Sequence, residues 1–122
     1  MIALLSALLL VAAQAPSLAP AQAAKSEALK PEQELALTCS AALATTAVRQ
    51  SQGDEAALRY PALGERGREF FVRVSAKVMD ETGMSRAAIS ERLTDIATQL
   101  KKPGKLDAVM PSCIEMLDAS GL

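Results

Sequence analysis

The chain has 122 residues, 13 Lys/Arg against 14 Asp/Glu, two cysteines, three aromatic side chains and no histidine. A charge balance this close to neutral makes no electrostatic case for nucleic acid or an anionic membrane, and so few aromatics can hardly build the stacking platform of a single-strand reader. Without histidine there is no Ser-His-Asp or Cys-His unit, no H-E-x-x-H zinc site and no C-x-x-C-H haem attachment.

Met1 to Ala24 carry no charged side chain; every Lys, Arg, Asp and Glu lies from Lys25 onward. The apolar run Ile2–Ala13 is followed by Pro16 and Pro20 and then by Ala21-Gln22-Ala23. That order is the pattern of a cleaved secretory signal. A run of about a dozen residues is too short for a bilayer core, which takes about 20 in helix. Cleavage is expected between Ala23 and Ala24. Ala13-Gln14-Ala15 is a poorer site, because Pro16 would follow the scissile bond. The tract lacks the usual early Lys or Arg; one explanation is a start upstream of Met1, and the alternative is a retained, weakly anchored N-terminus. The expected layout is a signal peptide over 1–23, a flexible lead over 24–30 and a single helical domain over 31–122, exported to a periplasm or secreted, with no stable membrane span after cleavage.

Export changes how the cysteines read. In an oxidising compartment Cys39 and Cys113 are expected to pair as a disulfide. The closed loop of about 75 residues would contribute roughly 4 kcal/mol in the chain-entropy model. The rival reading, two free thiols at a redox or metal site, lacks a C-x-x-C.

Pro31 suits a first helical position, with Glu32 and Glu34 favoured there by the helix dipole. A helix is predicted from Pro31 to about Ser51, with Leu35, Cys39, Ala42, Leu43 and Thr46 on its buried face and Gly53 as its stop. Asp54 caps a short turn over Glu55–Arg59, which Tyr60-Pro61 ends. A second long helix spans about Ala62–Glu81, where Leu63, Gly67, Phe70, Phe71, Val74 and Val78 share a face. Phe70 and Phe71 are adjacent, about 100° apart on a helix, so one of them can lie at the edge of the stripe and face a partner. Ser85 caps a third helix with a Met84–Ile89 staple; its stripe is Ile89, Leu93, Ile96, Ala97 and Leu100, and Pro103-Gly104 ends it. A fourth helix covers about Leu106–Ala119, with Leu106, Met110, Cys113 and Leu117 on one face. Pro111 either kinks it or starts it. No window alternates apolar and polar residues long enough for a strand. The expectation is an all-α bundle of about four helices, three long and amphipathic plus a kinked C-terminal one, stapled by one disulfide.

No catalytic motif emerges. Gly64-Glu65-Arg66-Gly67 has the G-x-x-G spacing of a nucleic-acid clamp but opens a helix, where glycines let a neighbouring helix approach. Met79, Met84, Met110 and Met116 would suit Cu(I), yet methionine is also a filler of helical cores. No metal ligand set, cofactor or catalytic residue is assigned. Arg59, Tyr60, Arg66 and Arg73 form the candidate partner contact; a solvated face laced with pairs such as Glu69–Arg73 is the plainer alternative.

The expected function is that of a non-enzymatic exported domain acting by contact, with another envelope protein as the candidate partner. In plan the chain also resembles the small periplasmic acid-stress chaperones of the HdeA type, which are helical, exported and held by one disulfide. That resemblance is architectural, and it implies loosening in acid, when 14 carboxylates are neutralised and 13 bases stay charged. A small-molecule or metal binder using the space between helices is the further alternative.

Overall fold

The computed structural model describes residues 29–122. The signal tract and the Ala23–Ala24 cleavage site lie outside the described residues. Five helices follow in chain order: α1 (Pro31–Ser51), the single turn α2 (Glu55–Leu58), α3 (Gly64–Thr82), α4 (Arg86–Leu100) and α5 (Lys105–Ala119). Among the described residues there is no strand, and no helix is long and apolar enough to cross a membrane. The fold is a small all-α bundle.

Each boundary has a local cause. Pro31 stands at the start of α1, and Gly53 turns the chain away in the left-handed region at φ 77°. Asp54 Oδ1 accepts from the N–H groups of Ala56 and Ala57 and so caps α2. Gly83, at φ 71°, closes α3. The Ser85 hydroxyl oxygen accepts from the Ala88 N–H, and Met84 and Ile89 on either side of this cap are both buried. Pro111 lies inside α5, which begins six residues earlier at Lys105 and is continuous through it. The alternative start at Pro111 is therefore excluded. A proline within a helix removes one backbone bond and sets its ring against the carbonyl four residues back; at Pro111 that carbonyl belongs to the exposed Asp107.

The helix α1 is the hub. α3, α4 and α5 all pack on it and touch one another only lightly. Its buried residues are Gln33, Leu37, Cys39 to Leu43 and Thr46, which point in nearly every direction around the axis. This corrects one expectation. Leu35, on the predicted stripe, is 41% exposed, while Leu37, which that stripe omits, is fully buried. A helix covered on several sides has no single buried stripe, so the choice of one face fails for it. Leu29 also packs against the core, ahead of the helix. The small side chains of α1 let its neighbours come close: Gly67 of α3 lies against Leu43, whose carbonyl oxygen would sit 3.7 Å from a Cβ placed on Gly67.

Cys39 of α1 and Cys113 of α5 are disulfide-bonded, with both residues fully buried. Next to this link in the core, Met110 is fully buried and its sulfur accepts from the Thr46 hydroxyl at 3.4 Å. Met84 is likewise a core residue, and Met79 and Met116 pack at its edge. Phe70, Val78, Ile89, Ile96, Leu106 and Leu117 complete the apolar interior. Each fully buried leucine contributes about 2 kcal/mol by transfer from water.

Candidate functional site

The four residues proposed for partner contact divide into separate places. Arg59 is exposed at the end of α2, with its Nε 3.5 Å from the Ala56 carbonyl. Tyr60 is partly buried and its hydroxyl donates to Asp107 Oδ1 at 2.7 Å. Arg66 reaches the other end of α5: its Nε donates to the Leu122 carbonyl at 2.8 Å and its Nη2 to Asp118 Oδ1 at 2.5 Å. Arg73 pairs with Glu69 at 3.1 Å on the outer face of α3. Tyr60 and Arg66 thus fasten the α2–α3 segment to both ends of α5, and their polar atoms are engaged within the molecule.

The segment between α1 and α3 is organised by a residue the sequence reading passed over. The Gln50 side-chain nitrogen donates toward the carbonyls of Ala57 (3.0 Å), Tyr60 (3.2 Å) and Pro61 (2.9 Å). Its side-chain oxygen accepts from the Leu63 N–H at 3.1 Å. One amide therefore bridges backbone groups along this turn, adding to the Tyr60 N–H that the Ala57 carbonyl already accepts. Arg49, next to it, donates to Asp54 Oδ2 at 2.9 Å. That bond, reinforced by the Ala56 and Ala57 N–H groups, holds the Asp54 carboxyl below its ordinary range. The bond from Tyr60 to Asp107 raises the phenol above its ordinary value of 10.0, with burial adding to the effect.

Beside this segment lies an open groove. From α1 it is lined by Ala44, Ala47, Val48 and Ser51. From α3 it is lined by Gly64, Arg68 and Phe71. α4 contributes nothing here, so the C-terminal half of the hub helix is uncovered on this side. Val48 is 56% exposed, and so is Val72, which follows Phe71. Phe70 is buried at 3% exposure while Phe71 is only partly covered. The adjacent pair does split, one ring entering the core and the other facing the groove. That pair was the one signal in the sequence for this surface; the uncovered side of α1 had none, because a missing neighbour leaves no mark in a run of alanines.

Each of the other depressions carries two or more charged side chains in its lining. Between α1 and α4, Glu34, Glu91, Arg92 and Asp95 line a shallow hollow in which Arg92 is ion-paired to Glu34. Among the described residues no group of three His, Cys, Asp or Glu is arranged to hold a metal. No family model, curated protein or solved structure matches this chain.

Proposed function

We propose that this chain is an exported helical domain that acts by contact with another protein of the cell envelope and performs no chemistry of its own. The observation that carries this reading is the open apolar groove of α1 and α3, where Val48 and Phe71 leave apolar surface in water. Exposed apolar surface gathered in one place marks an interaction site more often than scattered single residues do. The uncharged leader supports export, and a disulfide closing the bundle fits an oxidising compartment. The absence of histidine from the sequence narrows the catalytic possibilities further.

A photo-crosslinker placed at Val48 or Ser51, and as a control at Lys102, tests the reading in the protein's own compartment. A discrete crosslinked species at the groove positions and not at Lys102 supports it. Equal labelling at all three positions, or none, removes the groove from consideration.

A second reading is favoured by where the carboxylates sit. Glu34 is bonded to Arg92, joining α1 to α4, and Glu81 accepts from Gln33, joining α3 to α1. Asp118 holds Arg66, and Asp107 holds Tyr60. Four ties between elements thus run through a carboxylate, while the Gln50 bonds and the buried disulfide do not. Exposed pairs contribute only about 0–1 kcal/mol each, so loosening would come from their joint loss together with the repulsion among the remaining cations. This supports an acid-stress chaperone. If aggregation of a client protein at pH 2–3 is the same with and without the purified chain, that reading is wrong.

A further inference from the structure

We propose that the groove between α1 and α3 receives an amphipathic helix of the partner protein, carrying a carboxylate that meets Arg68. This rests on the contact reading above and names the chemistry of the partner.

The shape of the groove selects a helix. Its floor on α1 is Ala44, Ala47 and Ser51, at i, i+3 and i+7, with Gly64 across from them on α3. Interaxial distance between packed helices is set by the side chains at the contact, and side chains this small let another helix approach closely. From Ala44 to Ser51 the floor runs about 10 Å, or two helical turns. A peptide added as a strand would need an unpaired strand edge, and no strand occurs among the described residues; a polyproline peptide would need an aromatic-lined groove, and Phe71 is the one ring in this lining. Val48 and Phe71 supply the apolar flanks into which a ridge of side chains can set.

The charge selects the partner's sign. Arg68 is the one charged residue lining the groove. Among the described residues it forms no ion pair; Glu69, its neighbour in sequence, is taken by Arg73. A helix lying along the groove would strip water from the guanidinium. A charge desolvated at an interface is strongly unfavourable without an opposite partner, and a like charge opposite it is excluded. A carboxylate one turn from the partner's apolar residues meets both requirements, with two parallel hydrogen bonds available to the guanidinium fork.

The test is selection of helical peptides, about 14 residues long, from a displayed library with an apolar stripe and randomised polar positions. The bait is the oxidised protein, in wild-type, Arg68→Glu and Val48→Glu forms. Arg68 and Val48 are both exposed, so both variants should keep their helical content and melting temperature, which circular dichroism checks first. The expected result is a wild-type pool with Asp or Glu fixed at one position. An enriched peptide should bind the Arg68→Glu form on the order of tenfold more weakly or worse, and selection on that form should return Lys or Arg at the same position. Val48→Glu should abolish binding. A Val48-dependent pool with no acidic preference overturns the carboxylate and leaves the groove as a docking site. No Val48-dependent binding overturns both. Self-association of the protein in sedimentation equilibrium, abolished by Val48→Glu, also overturns the proposal, since the occupant is then a second copy.

Discussion

Gln50 and Leu63, thirteen positions apart, are joined by a 3.1 Å hydrogen bond from the Leu63 N–H to the Gln50 side chain. With the three carbonyls that the same amide serves, this makes Gln50 the organiser of the whole α1–α3 connection. Gln50→Leu keeps the bulk and removes both ends of the amide. The partly buried Tyr60 carbonyl and Leu63 N–H then lose their partner, at about 1–3 kcal/mol for each one that stays dry. We expect a loss of about 2 kcal/mol in urea unfolding. Gln50→Glu should recover little, because a carboxylate cannot donate to the carbonyls of Ala57, Tyr60 and Pro61. Unchanged midpoints for both variants would show that water replaces the amide freely.

Gly67 tests how tightly α3 is pressed onto the hub. A Cβ at this position meets the Leu43 backbone at 3.7 Å, an ordinary contact. Gly67→Ala should therefore be tolerated, and should gain about 0.5–1 kcal/mol from helix propensity. Gly67→Leu has no such space and should lose about 1–3 kcal/mol through overpacking. Thermal melts of the two variants should move in opposite directions; a destabilised alanine variant would mean that the helices cannot yield even to ordinary contact.

Ser75 has a side-chain oxygen that is buried and without a hydrogen-bond partner among the described residues. Removing it relieves a desolvated hydroxyl and improves helix propensity at once. Ser75→Ala is expected to stabilise the protein by about 1 kcal/mol, raising the melting temperature by several degrees. A lowered melting temperature would show that the hydroxyl is satisfied in solution.

Tyr60 is the sole tyrosine in a chain without tryptophan, so its ionisation can be followed directly in the ultraviolet. The bond to Asp107 holds the phenol above 10.0. The folded value is raised above the unfolded one, so the stability from this bond is fully present below pH 10 and is lost as pH rises through the folded value. Asp107→Asn removes the negative charge while keeping an acceptor, and the tyrosine midpoint should fall toward its ordinary value. Identical midpoints in the two proteins would mean that the contact does not persist in solution. The sign is reversed for Asp54: held low chiefly by Arg49, it contributes stability above the ordinary carboxylate range and loses it as pH falls through the depressed value.

Replacing Cys39 and Cys113 by serine should cost about 2–5 kcal/mol, the usual range for a native disulfide in a small domain. Since both residues are wholly buried, reductant should leave the link intact in buffer and cleave it only as denaturant opens the fold. Thiol labelling across a urea series with reductant present measures this. Rapid reduction of the native protein would contradict the burial.

Much of this architecture is legible in the sequence because punctuation is dense. Pro31, Gly53, Tyr60-Pro61, Thr82-Gly83-Met84-Ser85 and Pro103-Gly104 each carry a local conformational rule, and the helices end where those rules apply. Leu106, Met110, Cys113 and Leu117 read correctly as a buried face because α5 covers one side of the bundle only. The α1 hub defeats the same method, as Leu35 and Leu37 show, since periodicity identifies a face and a surrounded helix has none. The predicted contact residues were chosen for local charge and an aromatic ring. Where Tyr60 and Arg66 go depends on Asp107, Asp118 and Leu122, some 47 to 56 positions away, and no local pattern carries that information. Gln50 escaped for a similar reason: at the end of a helix a polar side chain reads as solvated until the loop that wraps it is known.

The central place of α1 has a consequence for the order of assembly. Among the described helices α1 is made first, each later one packs on it, and its cysteine waits for a partner in α5. α3 and α4 pack directly on α1, but the interior cannot close fully around it while α5 is missing. A chain emerging N-terminus first therefore carries an unfinished hub for almost the whole of its passage, and bundle closure and oxidation of Cys39 with Cys113 become late, coupled events.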